Sequence, residues 1–282
     1  MIKRTRLDGR MLASNISYFQ PPGSYRGMKA FLRKQKFSVH STSLEYIVSG
    51  TGSPVIVLVN GSGGPIEGWY KVYAQLKELG TVFAYNRFGI GGSSKPQEPQ
   101  TGDVVVKTLR ELLARTDLKP PYFLVGHSLG GLFVNLYARS FPGEVSGVVL
   151  LDATAPEDIS AIAAHRGAFQ QFAQRALDAI LGKNEFGEAE YASRTAELIH
   201  QSGPFPAVPL VVVTGGKPAM SWATPAPTRA ARAVHQRRLA ALSPQGKQII
   251  AKFSGHFPQF TEPTVVREAV RDVMAAAARA PA

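Results

Sequence analysis

A serine flanked by two glycines lies between an apolar segment and a helical pattern. Gly126, Ser128 and Gly130 form the sequence G-x-S-x-G, with the apolar run Pro121–Val125 before it and the helical pattern Leu132–Ala138 after it. A strand that turns sharply into a helix at such a serine holds the residue in a strained backbone conformation. Its hydroxyl is then exposed at the positive end of the helix. The pattern therefore predicts a nucleophile for acyl transfer.

A serine hydroxyl needs a base to take its proton at neutral pH, and that base is usually histidine. The chain has six histidines, and His256 directly follows the last predicted strand. Its loop should therefore emerge at the same edge of the sheet as Ser128. His127 adjoins the serine in sequence, but its side chain should point away from it. We predict that His256 is the base.

The base needs a carboxylate that orients it, and the chain order at such a site is serine, acid, histidine. The usual place, after the penultimate strand, is excluded because no aspartate or glutamate occurs between Glu197 and Glu262. Asp152 ends another central strand and is our candidate for the acid. An aspartate that only caps the following turn is the alternative. Glu157 and Asp158 are poorer candidates for the acid.

Acyl transfer also needs two backbone N–H groups that face the developing oxyanion. Leu129, where the helix begins, should supply one of them. The second is expected from Ser62, in the glycine-rich loop after the predicted strand Val55–Asn60. Such a loop could instead hold a phosphate, but this one lacks the Gly-Lys-Ser/Thr ending, and no acid follows it as a ribose anchor. An oxyanion hole is the better interpretation.

Alternating strand and helix patterns must position these residues. Short β-branched runs alternate with amphipathic segments, which indicates an α/β fold with a mostly parallel sheet and helices on both faces. The first two runs show polar alternation and predict an antiparallel edge hairpin. Eight strands are predicted, at Lys36–His40, Leu44–Ser49, Val55–Asn60, Val82–Asn86, Tyr122–Val125, Val145–Leu151, Val208–Thr214 and Lys247–Phe253. Helices are predicted at Trp69–Leu79, Asp103–Thr116, Leu129–Phe141, Thr228–Leu242 and Pro263–Ala278.

The chain between the sixth and seventh predicted strands is longer than the fold requires. More than fifty residues lie there, whereas a crossover between parallel strands needs only one helix. We therefore expect a helical cap inserted after the sixth strand. The predicted domains are an N-terminal extension at 1–35, a core at 36–154 and 206–282, and the cap insertion at 155–205.

Composition limits the class of protein. A chain of 282 residues with 44% hydrophobic residues can bury a full core, and the absence of cysteine excludes disulfides and thiolate metal sites. No apolar run approaches the roughly 18 residues that indicate a membrane span, and no export signal is visible. We expect no membrane span and a cytoplasmic location. The net charge is +12, but the basic residues are scattered and accompany no nucleic-acid motif, so no nucleic-acid partner is expected.

The predicted fold and site residues together resemble the α/β-hydrolase family over most of the chain. Asn60–Gly64 is similar to the family's His-Gly oxyanion loop, and Tyr85–Ser93 is similar to its Asp-Arg-x-Gly-x-Gly-x-Ser loop. Ser254–His256 resembles the family's histidine loop. The chain departs from the family at Asn60, where histidine is usual, and at Asn86, where aspartate is usual. Neither position performs chemistry, so the departures bear on the subfamily and not on the fold.

An acid at Asp152 is similar to the arrangement in haloalkane-dehalogenase-like members of the family. Their nucleophile is aspartate, so Ser128 argues against dehalogenation and epoxide opening. Together with the residues above, the resemblance implies a serine hydrolase with a catalytic triad, above all a carboxylic ester hydrolase. Its small-molecule substrate would be an ester, a lactone or a related acyl compound, cleaved through an acyl-serine intermediate without a metal or cofactor.

Other activities would use the same residues. Perhydrolysis, cleavage of a carbon–carbon bond and acyl transfer to another acceptor could all proceed from the same site. A ligand receptor on a hydrolase scaffold, or a protein with an inert site, belongs to a different class. The intact serine and histidine argue against an inert site, whereas tight binding with slow turnover would indicate a receptor.

Overall fold

The structure is a computed structural model that describes residues 33–39, 42–50, 52–159, 186–217 and 226–279. The sheet and its helices belong to one compact unit, Lys34–Ala282. Most of the predicted N-terminal extension and residues 160–185 of the predicted cap lie outside the described residues. The domain boundaries given above therefore stay a prediction.

Within the described ranges, eight strands form one sheet. The strands are β1 Gln35–Val39, β2 Thr42–Ser49, β3 Val55–Val59, β4 Thr81–Tyr85, β5 Tyr122–His127, β6 Val145–Leu151, β7 Leu210–Gly215 and β8 Gly246–Ala251. Their order in the sheet is β1-β2-β4-β3-β5-β6-β7-β8. β1 and β2 form an antiparallel hairpin, β2 is antiparallel to β4, and the remaining neighbours are parallel. The predicted eight-stranded, mostly parallel sheet with an edge hairpin is confirmed.

The central strands are apolar because helices cover both faces of the sheet. Every residue of β3 and of β4 is buried. Successive side chains of a strand point to opposite faces, so Val57 and Val59 lie in one core cluster while Ile56 and Leu58 are buried on the other face. Burial on both faces explains why these strands read as continuous apolar runs.

Helices form a layer on each side of the sheet. The helices are α1 Tyr70–Leu76, α2 Gly102–Arg115, α3 Gly130–Ser140, α4 Ala192–Gln201, α5 Ala226–Ala240, α6 Pro258–Thr261 and α7 Pro263–Ala277. Residues of α2, α3, α4 and α5 share one core cluster, while α1 and α7 contact each other on the other face. α3 packs against β5, β3 and β6, and this packing fixes the helix that follows the serine. In the described part of the chain, no helix is both long and apolar enough to cross a membrane.

α4 lies within the range predicted as the cap, yet it packs against α2 and α3. Its buried residues Ala192, Thr195, Ala196 and Ile199 follow helical spacing and form its contact face. Just after α4, the Gly203 carbonyl accepts a hydrogen bond from Arg139 near the far end of α3. Residues 192–201 therefore belong to a helical layer of the sheet. Helical periodicity reveals an amphipathic helix but does not specify which surface the helix covers.

Candidate active site

Ser128 occupies the sharp turn between β5 and α3. Its φ is +50°, in the left-handed region that a residue with a side chain adopts only at a cost. The Ser128 N–H donates to the Leu151 carbonyl at 3.2 Å. The Ser128 carbonyl accepts from the N–H groups of Gly131 and Thr154, at 2.9 Å each. These bonds hold the turn in the conformation that presents the hydroxyl at the positive end of α3.

The two glycines of the G-x-S-x-G segment allow β5, α3 and β3 to approach each other closely. A Cβ atom at Gly126 would lie 2.9 Å from the Gly130 carbonyl oxygen, and one at Gly130 would lie 2.3 Å from the Val59 carbonyl oxygen. Real Cβ atoms essentially never make such short contacts. A larger residue at either position would therefore push α3 away from the sheet and displace Ser128.

His256 joins Ser128 to Asp152. Its Nε2 lies 2.9 Å from Ser128 Oγ, and its Nδ1 lies 2.7 Å from Asp152 Oδ2. A carboxylate can only accept, so Nδ1 carries the proton that is donated to Asp152. The unprotonated Nε2 then accepts the hydrogen bond from the serine hydroxyl. The residues predicted as nucleophile, base and acid thus form one hydrogen-bonded chain.

Asp152 follows β6 and is held by groups from two other elements. Its Oδ1 accepts from the Gly215 N–H at 3.1 Å. Its Oδ2 and its backbone carbonyl both accept from Arg232 Nη2 of α5, at 2.8 Å each. Burial alone would raise the pKa of Asp152, but the hydrogen bond from His256 and the charge of Arg232 keep this pKa below its usual value. The carboxyl group is therefore ionised at neutral pH.

Asp158, one of the two poorer candidates for the acid, makes no hydrogen bond to His256. Its Oδ2 accepts from the Ala155 N–H at 2.8 Å, and its Oδ1 lies 2.6 Å from Nδ1 of His235. Arg232 Nη1 lies 3.6 Å from Asp158 Oδ2, so the same arginine connects both carboxylates. Asp158 and His235 form a second pair beside the site.

His127 supports the His256 loop, a contact that the sequence did not indicate. Its Nε2 lies 2.8 Å from the backbone carbonyl of His256. Burial, and to a smaller extent the charge of the nearby His256, lowers the pKa of His127 to about 3. The ring is therefore neutral at pH 7, and its Nε2–H donates to that carbonyl. From the other side, the Glu262 carboxylate accepts from Ser254 Oγ at 2.7 Å and fixes the beginning of the same loop.

The backbone N–H groups predicted for the oxyanion hole, those of Ser62 and Leu129, belong to segments next to Ser128. Leu129 immediately follows the serine and caps the N-terminus of α3. Gly61 lies so near that a Cβ atom on it would be 3.0 Å from Ser128 Cβ. Among the described residues, neither the Ser62 N–H nor the Leu129 N–H donates to a backbone carbonyl. Two available donors beside a nucleophile suit an oxyanion.

A buried ion pair that the sequence did not indicate holds the loop that contains Ser62. Arg87 donates through Nη1 to the Asn60 carbonyl at 2.8 Å and through Nη2 to the Gly61 carbonyl at 2.6 Å. Its guanidinium also donates from Nε and Nη2 to the two carboxylate oxygens of Glu188, the Nη2 bond being 2.7 Å. Glu188 Oε1 accepts from the Gly63 N–H at 3.0 Å. Glu188 lies in the segment between β6 and β7.

The described side chains do not assemble a metal-binding cluster. Within the described ranges, no group of at least three histidine, aspartate or glutamate residues is arranged to hold a metal ion. The polar side chains of His256, Asp152 and Arg232 instead form hydrogen bonds with each other or with neighbouring groups of the chain. Their arrangement is suited to proton transfer and to stabilisation of negative charge.

Comparison with known proteins identifies relatives in sequence and in structure. The sequence profile of the alpha/beta hydrolase fold family matches residues 54–226. The uncharacterized protein YqjL of Bacillus subtilis (strain 168) is 29% identical over 228 residues, which cover 81% of this chain and 86% of YqjL.

Two solved structures have a similar fold. The enol-lactonase from Burkholderia xenovorans LB400 has a TM-score of 0.62 at 20% identity and covers 86% of this chain and 100% of its own. The mouse alpha/beta hydrolase domain-containing protein 10 has a TM-score of 0.65 at 18% identity, with 86% of this chain and 98% of its own covered. At these identities the two structures show a shared fold and do not indicate a substrate.

Proposed function

Because the chain belongs to the α/β-hydrolase family, we propose that it is a serine hydrolase that cleaves an ester, a lactone or a related acyl compound. The observation that carries the proposal is the hydrogen-bonded chain from Ser128 Oγ through His256 to Asp152. A serine in this environment can lose its proton as it attacks, which an isolated serine does poorly at neutral pH.

In the first half of the proposed reaction, Ser128 Oγ attacks the acyl carbonyl carbon while His256 Nε2 takes the hydroxyl proton. Asp152 keeps Nδ1–H directed towards its carboxylate and stabilises the imidazolium that forms. The N–H groups of Ser62 and Leu129 donate to the oxygen that becomes negatively charged. The leaving alcohol then departs with the proton from His256, and the acyl group remains on Ser128.

In the second half, His256 takes a proton from water as the water attacks the acyl-serine. The second tetrahedral intermediate collapses, and the proton returns to Ser128. The products are the carboxylic acid and the regenerated enzyme. An acceptor other than water would give acyl transfer or perhydrolysis through the same acyl-serine.

His256 suits the role of base better than the neighbouring histidine. Burial lowers the pKa of His127 to about 3, so its ring is a weak base, and its Nε2–H is engaged with a backbone carbonyl. His256 instead has one ring nitrogen on the serine hydroxyl and the other on an ionised carboxylate. A ligand receptor would not need this arrangement, so these contacts favour an enzyme over a receptor.

A panel of p-nitrophenyl esters of increasing acyl length tests the proposal. We expect the wild-type protein to release p-nitrophenol, and Ser128→Ala to lower kcat by about 10⁴ or more. Ser140→Ala, at the exposed end of the same helix, is the matched control and should keep the wild-type rate. If purified Ser128→Ala turns over any ester of the panel at near wild-type rate, the assignment is wrong.

A further inference from the structure

The three peptide groups around Ser62 all bond to Arg87 or Glu188. Arg87 binds the carbonyls of Asn60 and Gly61 at 2.8 and 2.6 Å, and Glu188 binds the Gly63 N–H at 3.0 Å. Each of these groups belongs to a different peptide plane of the loop. The ion pair therefore fixes the orientation of the backbone on both sides of Ser62.

The direction of the Ser62 N–H follows from one of these bonds. In a planar trans peptide, the carbonyl of one residue and the N–H of the next point in opposite directions. Arg87 holds the Gly61 carbonyl, so the Ser62 N–H must point away from the guanidinium. Rotation of this peptide plane would break the bond to Arg87, and the carbonyl would then be left without this buried donor.

Arginine and glutamate suit this task because each binds at more than one point. The guanidinium offers several donors in a rigid plane, whereas a lysine ammonium is a single point charge. The Arg87 side chain is 2% exposed and that of Glu188 is 10% exposed, so solvent cannot replace either partner. The charge of Glu188 also offsets the effect of burial on Arg87, whose pKa is raised above its ordinary value. The pair is thus a charged and rigid support for the loop.

We propose that Arg87 and Glu188 are positioning residues for the oxyanion hole, and that the segment between β6 and β7 supplies one of them. The inference rests on the proposed function. The Ser62 loop follows β3, while Glu188 lies beyond β6, 101 residues after Arg87 in the chain. The bonds that hold the Ser62 loop therefore include contacts from a residue between β6 and β7.

The test uses Glu188→Asp and Arg87→Lys, which keep both charges but shorten or simplify the side chains. Aspartate cannot reach Arg87 and the Gly63 N–H together, and lysine cannot hold two carbonyls and a carboxylate in the same plane. We expect each variant to lower kcat by about 10- to 100-fold, because one oxyanion donor is misaligned. KM for the p-nitrophenyl ester should change by less than about threefold, since the donor acts mainly in the transition state.

A transition-state analogue separates positioning from a general loss of structure. A trifluoromethyl ketone forms a tetrahedral adduct with serine, whose oxyanion occupies the oxyanion hole. Its Ki should rise by the same factor by which kcat/KM falls. Glu144→Asp is the matched control, because Glu144 pairs with Arg110 and Tyr137 at the opposite edge of the sheet. It should lower the melting temperature without changing kcat or Ki.

The outcomes distinguish this inference from the proposed function. If the wild-type protein hydrolyses no ester, the proposed function fails, and this inference fails with it. If the wild type is active and folded Glu188→Asp has unchanged kcat and Ki, only the positioning role is overturned. A fall in kcat without a matching rise in Ki also overturns it. Should Arg87→Lys not fold, Glu188→Asp carries the test.

Discussion

Two arginines support opposite sides of Ser128, and they do so in different surroundings. Arg87 pairs with Glu188 and binds two backbone carbonyls of the Ser62 loop. Arg232 pairs with Asp152 and binds the backbone carbonyl of the same residue. The Arg87 side chain is 2% exposed, whereas that of Arg232 is 34% exposed.

The two carboxylate partners differ as well. Glu188 makes no hydrogen bond to Ser128 or His256, so the Arg87 pair affects the site only through the backbone. Asp152 binds His256 directly with the same oxygen that accepts from Arg232. The fully buried Arg87 pair should therefore govern geometry and stability, while the partly exposed Arg232 should govern the ionisation of the carboxylate that holds His256. The predictions below test this division.

The largest expected loss of activity follows from replacing the Asp152 carboxylate, which contacts His256. Asp152→Asn should lower kcat by about 10³ to 10⁴, because the amide no longer favours the productive tautomer or stabilises the imidazolium. Asp158→Asn is the matched control, since Asp158 also contacts Arg232 but makes no hydrogen bond to His256. It should keep kcat within about tenfold of wild type. Equal losses in the two variants, measured per folded molecule, would contradict the assignment.

The second prediction compares the stabilities of the two pairs. Arg87→Met should lower the free energy of unfolding by about 3–5 kcal/mol, because it leaves the buried carboxylate of Glu188 unpaired. Arg232→Met should cost only about 1 kcal/mol, since its guanidinium is partly solvated and Asp152 keeps two other donors. Urea unfolding of both variants gives the comparison. Similar losses in both variants would show that the difference in burial does not matter here.

The third prediction concerns the pH dependence of the rate. Among the described residues, the titratable or charged groups around this part of the site include Asp152, Asp158, His235, His256, His127, Arg232 and Glu262. Arg232→Gln removes a positive charge that lowers the pKa of Asp152, so this carboxylate is protonated at a higher pH and then no longer accepts from His256. We expect kcat/KM at pH 5 to fall by about three- to tenfold relative to wild type, with little change at pH 8.

Arg232→Lys is the matched variant for this measurement. It keeps the charge and should give a rate profile close to that of wild type, even though the geometry of the guanidinium is lost. An acid limb that does not move in Arg232→Gln would contradict the electrostatic role. An equal displacement in both variants would indicate that geometry, and not charge, is responsible.

The smallest effect is expected in the pH dependence of stability. The pKa of Asp152 lies below its ordinary value of 3.8 in the folded state. The ionised carboxylate therefore stabilises the fold above that value, and this contribution is lost as the pH falls through the folded-state pKa. The melting temperatures of wild type and Asp152→Asn should differ more at pH 6 than at pH 3. A difference that does not shrink in acid would show that ionisation of Asp152 does not contribute.

The sequence was sufficient to predict the sheet. It was also sufficient to predict that Ser128, His256 and Asp152 lie close together. The signals were local: apolar runs marked the strands, and the glycines around Ser128 marked a sharp turn. His256 and Asp152 were found because each follows a predicted strand of the same sheet. Their catalytic roles stay predictions, but their proximity follows from the fold.

The supporting residues could not be predicted because their contacts join distant parts of the chain. Arg232 is 80 residues from Asp152, and Glu188 is 101 residues from Arg87. No local pattern specifies which arginine meets which carboxylate once the helices pack. The same reason explains α4, whose amphipathic face is visible in the sequence while the surface that it covers is not.

Labelling with a fluorophosphonate followed by peptide mass spectrometry tests the central claim most directly. The reagent phosphonylates a serine that a neighbouring base activates, so it reports the nucleophile without requiring the natural substrate. We predict a single covalent adduct on Ser128 in the wild type, slower labelling in Asp152→Asn, and no adduct in Ser128→Ala. An adduct on a different serine, or a folded wild-type protein that carries none, would contradict the account.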